Sequence, residues 1–156
     1  MYFHIFVVGD NKIGYLYQGE EEFLKRLQHY CKISIHTVKS EKITNSQSQE
    51  KIKSVEGERL LKRIPKNSLI MALDRKGKHL SSEGLAKRVA EWQNRGIKHV
   101  ALLIGGALGL SKTVLDRADF ILSLSRMTFT HEMVRLIFLE QLYRCFTIIR
   151  GEKYHK

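Results

Sequence analysis

His131 and Arg135 stand four residues apart, the spacing that brings two side chains to one face of a helix. An imidazole can take or give a proton near neutral pH, and a cation beside an acid lowers its pKa by about one to three units. The pair therefore suits a site that must strip a proton from a bound group, although a capping or surface histidine uses the same residues. Glycines supply a second candidate. The apolar run His99-Val100-Ala101-Leu102-Leu103-Ile104 leads into Gly105-Gly106-Ala107-Leu108-Gly109-Leu110 and then Ser111, a good helix N-cap residue. With no Cβ in the way, backbone N–H groups there can approach a ligand closely, and a tight strand-to-helix turn would be written with the same residues.

Other charged groups are more ambiguous. Arg75, Lys76, Lys78 and His79 form a basic loop fit for phosphates or for plain solvation. Asp74 beside them could contact a ligand or act as a base, though one carboxylate among several cations is more often their structural partner. Glu140 and Arg144, again four apart, fit a helix pair or a role across an interface. Arg144 lies nine residues from Arg135, half a turn out of phase at about 100° per residue, so the two point in opposite directions. Cys31 and Cys145 are isolated, with no Cys or His at metal-ligand spacing. They predict buried thiols, with no metal site and no disulfide.

The elements that must position these groups follow from the apolar pattern. Tyr2 to Gly9 predicts a strand, and Glu20 to Leu27 a helix with Phe23, Leu24 and Leu27 on one face. Cys31 to Val38 alternates as a strand does, and Lys39 to Gln49 is polar enough for a mobile loop. Glu50 to Ile64 predicts a basic amphipathic helix stopped by Pro65, and Ser68 to Leu73 a buried strand. Ser81 or Ser82 caps a helix running through Trp92 to Gly96. After the strand at His99 and the glycine loop come a short helix, Lys112 to Arg117, a fifth strand, Phe120 to Leu124, and a last helix, Glu132 to Ile149. Strands alternating with helices imply an α/β fold, a mostly parallel sheet with helices on both faces. Such sheets bind ligands beyond the carboxyl ends of their strands, which singles out the turns after Leu73, Ile104 and Leu124. The last helix is apolar nearly all round, so it must be covered on more than one side; few helices remain to do so, which favours a homodimer.

At 156 residues and 43% hydrophobic, the chain suits one domain with a sizeable core. No apolar stretch reaches the length of a membrane span and the N-terminus lacks a basic flank, which predicts a soluble, cytoplasmic protein. A net charge of +11 attracts polyanions and makes nucleic acid the leading partner.

Taken together, Leu102-Leu103-Ile104-Gly105-Gly106 through Gly109-Leu110, Leu122-Ser123-Leu124-Ser125 with Met127-Thr128-Phe129 and His131, Gln141-Leu142-Tyr143-Arg144, and terminal Tyr154-His155-Lys156 resemble one family: ribosomal RNA large subunit methyltransferase H, of the SPOUT superfamily. The resemblance spans essentially the whole chain. It implies an α/β homodimer with a C-terminal trefoil knot, an exception to the usual absence of knots. It further implies transfer of a methyl group from S-adenosylmethionine to N3 of a pseudouridine in 23S ribosomal RNA on the assembled ribosome. Leu73, Gly105 and the stretch Leu124, Ser125, Arg126, Met127, Thr128, Phe129 match the family's donor-binding positions, and His131, Arg135, Tyr154 and His155 would be catalytic, with the tail closing over a donor pocket of the partner subunit. Departures are Ala107-Leu108 in place of a Pro-Glu or similar pair, Glu132 after the histidine, and Lys153 in the tail. The first two remove no group the chemistry needs, and Lys153 stands where Pro or Ala is common, which bears on the geometry of the tail.

Two other readings remain at the level of sequence. A noncatalytic, ribosome-associated RNA-binding factor would use the basic surface and bind no donor. A Rossmann-type enzyme would need an acidic residue about twenty positions beyond the glycines to hold a ribose, where this chain has Ser125.

Overall fold

Strands that read as unbroken apolar runs belong in the middle of a parallel sheet, where both faces are covered. In the computed structural model of the chain, which describes residues 1–44 and 47–154, β1 (Tyr2–Val8) and β4 (His99–Ile104) are buried along nearly their whole length and lie side by side. With β2 (Lys32–Val38), β3 (Leu69–His79) and β5 (Phe120–Ser123) they form a five-stranded sheet of order β2-β1-β4-β3-β5 in which every pairing is parallel. Four helices connect them, α1 (Gly14–Leu27), α2 (Gln49–Leu61), α3 (Ser82–Asn94) and α4 (Lys112–Asp116), and α5 (His131–Ile149) follows β5.

Alternation along the strands sorts the core into two layers. Phe3, Ile5, Val7, Val100, Leu102 and Ile104 face α1, α3 and α5, meeting Leu27, Val89, Trp92, Phe138 and Leu142. Phe6, Val8, Ala101 and Leu103 face α2 and α4 through Leu60 and Val114. Hydroxyl oxygens of Ser48, Ser81, Ser111 and Thr130 accept the N–H of the third residue beyond each and so start four of the helices. Ser81, rather than Ser82, is the cap of α3.

Three elements differ from the sequence reading. Helix α1 begins at Gly14, six residues before Glu20; Tyr15 and Tyr17 are exposed and only Leu16 is buried in that first stretch, so no apolar period marks it. Strand β3 does not end at Leu73. The basic residues Arg75 to His79 leave the sheet and return: Leu73 and Lys78 both pair with Leu122, and His79 pairs with Ser123. Their exposed side chains conceal a strand held by backbone hydrogen bonds alone. Finally, α5 needs no second subunit to cover its two flanks. Leu136 packs where Gly19 leaves room, Tyr143 meets Phe23 and Tyr30 of the α1 side, and on the α3 side Ser82 donates to Gln141 at 2.7 Å. What stays half-buried is the stripe Met133, Ile137, Glu140 and Arg144, away from Phe138 and Leu142.

Near the amino ends of the strands, Tyr2 stacks on His4 at 3.9 Å and His4 Nε2 lies 3.1 Å from His99 Nδ1, with His36 alongside. Burial, then His99 and His36, hold the His4 pKa below its usual 6.5, and burial with Arg63 does the same for His36. Above about pH 6.5 these rings are neutral in folded and unfolded chains alike; below it the unfolded chain takes up protons that the fold resists, so stability falls on acidification. Thermal melts on either side of pH 6.5 should show this fall, and His4→Phe should flatten it; an equal slope in the variant would remove the histidines as its cause.

Candidate functional site

Beyond the carboxyl ends of β4 and β5, and where β3 breaks register after Leu73, lie three turns whose conformations are set locally. In the glycine loop the Gly109 N–H donates to Gly106 O at 2.9 Å and Gly109 takes φ +82°, a region open to glycine at no steric cost. A Cβ on Gly105 would come within 2.5 Å of the Gly109 carbonyl carbon, so only glycine lets the loop close on itself. After β5, Ser123 donates to Ser125 O at 2.9 Å, Ser125 Oγ accepts the Met127 N–H at 3.0 Å, and Thr130 Oγ1 caps α5. After Leu73, Asp74 Oδ1 accepts the Lys76 N–H at 2.8 Å and turns the chain out of the sheet. Asp74 is thus a backbone partner, in place of the ion-pair partner that its neighbours suggested.

These three turns enclose a cavity of about 650 Å³, well within the range of small-molecule sites. Leu73, Gly105, Leu124, Ser125, Met127, Thr128 and Phe129 all line it; Arg126 does not. Asp74, for which donor contact was one reading, and Arg75 of the basic loop are in the wall as well. Sequence reasoning missed the Ala107-Leu108 pair, Glu132 and Val134. The first two adjoin positions it had named, so extending the turns by one or two residues would have found them; Val134 sits one helical turn beyond the loop and carries no signal of its own. Met127, 72% exposed, and Phe129 stand at the rim.

The four residues expected to be catalytic separate. His131 lines the cavity, its Nε2 3.1 Å from Glu132 Oε1. Arg135, one turn further along α5, is 3% exposed and does not line this cavity. Its Nη2 donates to Val8 O at 3.0 Å and to Gly9 O, and its Nε has no partner. Burial lowers its pKa, against the pull of Glu20, Glu132 and Asp10. Arg135 is therefore a buried strut under the end of β1. Replacing it by methionine leaves Glu20 and both carbonyls without their cation and should lower the unfolding free energy by about 3–5 kcal/mol; urea denaturation measures it, and a loss below about 1 kcal/mol would deny the strut.

Tyr154 lies on the outer side of α5 of its own chain. Its hydroxyl donates to Glu140 Oε1 at 3.2 Å, and its ring packs on Tyr143 at 4.7 Å and on the Arg144 guanidinium at 4.8 Å. Glu140 and Arg144 form the expected helix pair, Nη2 to Oε1 2.6 Å. Tyr154 is not part of the cavity wall, and His155 lies outside the described residues. Among the described residues no group of three His, Cys, Asp or Glu side chains could hold a metal, and no helix is long and apolar enough to cross a membrane. Burial pushes both thiols, Cys31 and Cys145, up to about 12, which keeps them protonated and inert.

A cavity at the carboxyl ends of three parallel strands, floored by a glycine turn and roofed by the start of the last helix, is common to several enzyme classes. Sequence comparison distinguishes between them: residues 1–155 match the family described as "Predicted SPOUT methyltransferase". The chain belongs to the SPOUT methyltransferase family. Its similarity to curated proteins extends along all or nearly all of the chain. A protein of Halothermothrix orenii is 53% identical over 100% of both chains, one of Desulfotalea psychrophila 52% over 97% of each, and one of Clostridioides difficile 50% over 97% of this chain and 98% of its own. Each is named "Ribosomal RNA large subunit methyltransferase H". Among solved structures, a probable methylase family protein from Haemophilus influenzae Rd KW20 shares the fold, with a TM-score of 0.55 at 11% identity, covering 99% of this chain and 70% of that one.

A SPOUT methyltransferase needs a methyl donor, and the cavity offers a cationic donor a fitting wall. Apolar surface comes from Leu73, Ile104, Leu122, Leu124 and Val134, and carboxylates from Asp74 and Glu132.

Proposed function

We propose that the protein transfers the methyl group of S-adenosylmethionine to N3 of a pseudouridine in 23S ribosomal RNA on the assembled ribosome. The observation that carries this reading is the convergence of the turns after Leu73, Ile104 and Ser123 on one cavity, in a chain about half identical, along its whole length, to proteins named for methylating large-subunit ribosomal RNA. The net charge of +11 suits an RNA partner.

S-adenosylmethionine supplies an electrophilic methyl group on a positively charged sulfur. In this chain Leu73, Gly105, Leu124, Ser125, Met127, Thr128 and Phe129 would hold it, Asp74 and Glu132 would face its positive charge, and Arg75 its carboxylate. The apolar walls exclude water and fix the approach of the accepting nitrogen, which is what an in-line displacement requires. N3 must lose its proton, and His131, at the start of α5 in the cavity wall, is placed to take it or to stabilise the resulting anion. Arg126 acts at the mouth, on RNA phosphate.

The active unit is a homodimer of single-domain subunits, each with the family's C-terminal trefoil knot, working in the cytoplasm. The half-buried stripe of α5 and the exposed Met127 offer the dimer contact. Across it the tail of one subunit, with Tyr154 and His155, reaches the donor cavity of the other.

The decisive experiment incubates the protein and labelled S-adenosylmethionine with ribosomes from a strain lacking this activity, and maps the label by mass spectrometry of ribosomal RNA fragments. One methyl group on N3 of one pseudouridine is expected. Label on another nucleotide, or calorimetry showing no donor binding, would discard the reading in favour of another target or a noncatalytic RNA-binding factor.

A further inference from the structure

A second cavity, of about 660 Å³, opens beyond the carboxyl ends of β1 and β2 and shares the wall Gly106 to Leu108 and His131 with the first. Nothing in methyl-donor binding uses it. At its base is Glu56, 5% exposed, whose Oε1 accepts the Glu41 N–H at 2.9 Å. The other oxygen, Oε2, lies at the shared wall: a Cβ on Gly106 would stand 3.2 Å from it. Burial raises the Glu56 pKa, as expected of a carboxylate kept from water. Glu41, also in the wall, is neutralised by Arg59. The opening carries the exposed lysines Lys12 and Lys39 and one exposed carboxylate, Asp10, a net positive charge. Next to Lys12, on the first turns of α1, Tyr15 and Tyr17 are 69% and 52% exposed.

We propose that this cavity receives a nucleobase flanking the methylated residue, one that carries a ring N–H, with Glu56 as its acceptor. The identity of the RNA rests on the function proposed above. The chemistry sorts the parts of a nucleotide by themselves. A buried carboxylate repels phosphate and accepts N–H groups, so the base goes inward; rim lysines attract phosphate, so the backbone stays outside, with Tyr15 and Tyr17 as stacking surfaces for its neighbours. Uracil and guanine offer a ring N–H; cytosine and adenine offer only exocyclic amines, far less acidic and so weaker donors to a carboxylate. Because the two cavities share His131 and the glycine loop, a base held here fixes the register of the adjoining nucleotide in the donor cavity.

Amide shifts of the labelled protein, titrated with each nucleoside 5′-monophosphate, test the proposal. Uridine and guanosine monophosphates should shift Ser40 and Glu41 saturably, about tenfold more tightly than the cytidine and adenosine compounds, as suits one charge-assisted hydrogen bond. Glu56→Gln, close in size, should abolish the preference, and Ser40→Trp, at an exposed rim position, should abolish the shifts and raise KM for ribosomes without changing donor affinity. Shifts confined to the turns after Leu73, Ile104 and Ser123, or equal affinity for all four nucleotides, would overturn it. Methyl transfer by a protein showing no such preference would leave the enzymatic reading standing and this one refuted; the preference in a protein that transfers no methyl group would do the reverse.

Discussion

Gly105→Ala abolishes S-adenosylmethionine binding and, with it, methyl transfer. The added methyl would meet the Gly109 carbonyl carbon at 2.5 Å and the Gly109 oxygen and Leu110 nitrogen at 2.8 Å. All three are backbone atoms, which cannot swing aside as a side chain would, so the loop must open by about an ångström or more. Misplacement on that scale costs about a hundredfold in catalysis even when a ligand still binds. The sheet below the loop is held by β1 and β3 on either side of β4, and circular dichroism of the variant should stay native. Calorimetry with S-adenosylmethionine gives the readout: no resolvable heat is expected, and wild-type affinity would mean that the loop does not bound the donor.

Removal of Tyr154 to Lys156 abolishes transfer while donor binding survives. Among the described residues the cavity wall comes from the strand ends, the turns and the start of α5, so donor binding is expected not to need the tail. Tyr154 rests instead on the outer side of α5, against Tyr143 and Arg144 and hydrogen-bonded to Glu140. In the proposed dimer that side adjoins the partner, and the truncated enzyme loses the groups that close the partner's site. A loss of about 10² to 10⁴ in kcat matches removal of an acid–base group that works beside His131 and of a positioning ring. Light scattering should show an unchanged dimer, since Met133 and Ile137 remain, and Tyr154→Phe should keep most activity because it retains the ring contacts. Full turnover by the truncated protein would exclude the tail from the site.

The cavity was legible because its makers are local. Gly105, Gly109, Ser111 and Ser125 act within a few residues of themselves, and the rule that parallel sheets bind ligands at strand ends brings their turns together from the sequence alone. Arg135 was misread for the opposite reason. Spacing on α5 correctly put it on the His131 face, but whether that face meets a cavity or the end of β1 depends on Val8 and Gly9, over 120 positions away in sequence. The continuation of β3 through Lys78 and His79 was hidden because exposed, charged side chains carry no period; its hydrogen bonds come from Leu122 and Ser123. The early start of α1 escaped notice because a half-exposed first turn needs no apolar pattern.

What this sequence determined by itself is the order and type of its elements, the parallel sheet and the turns able to close around a small molecule, since periodicity, caps and glycines act over a handful of residues. Tertiary structure alone decided that Arg135 is a strut, that α1 and α3 flank the last helix, that Tyr154 docks on α5, and that a second cavity lies against the first. Each of these depends on contacts between segments far apart in the chain, and such contacts leave no mark on local spacing.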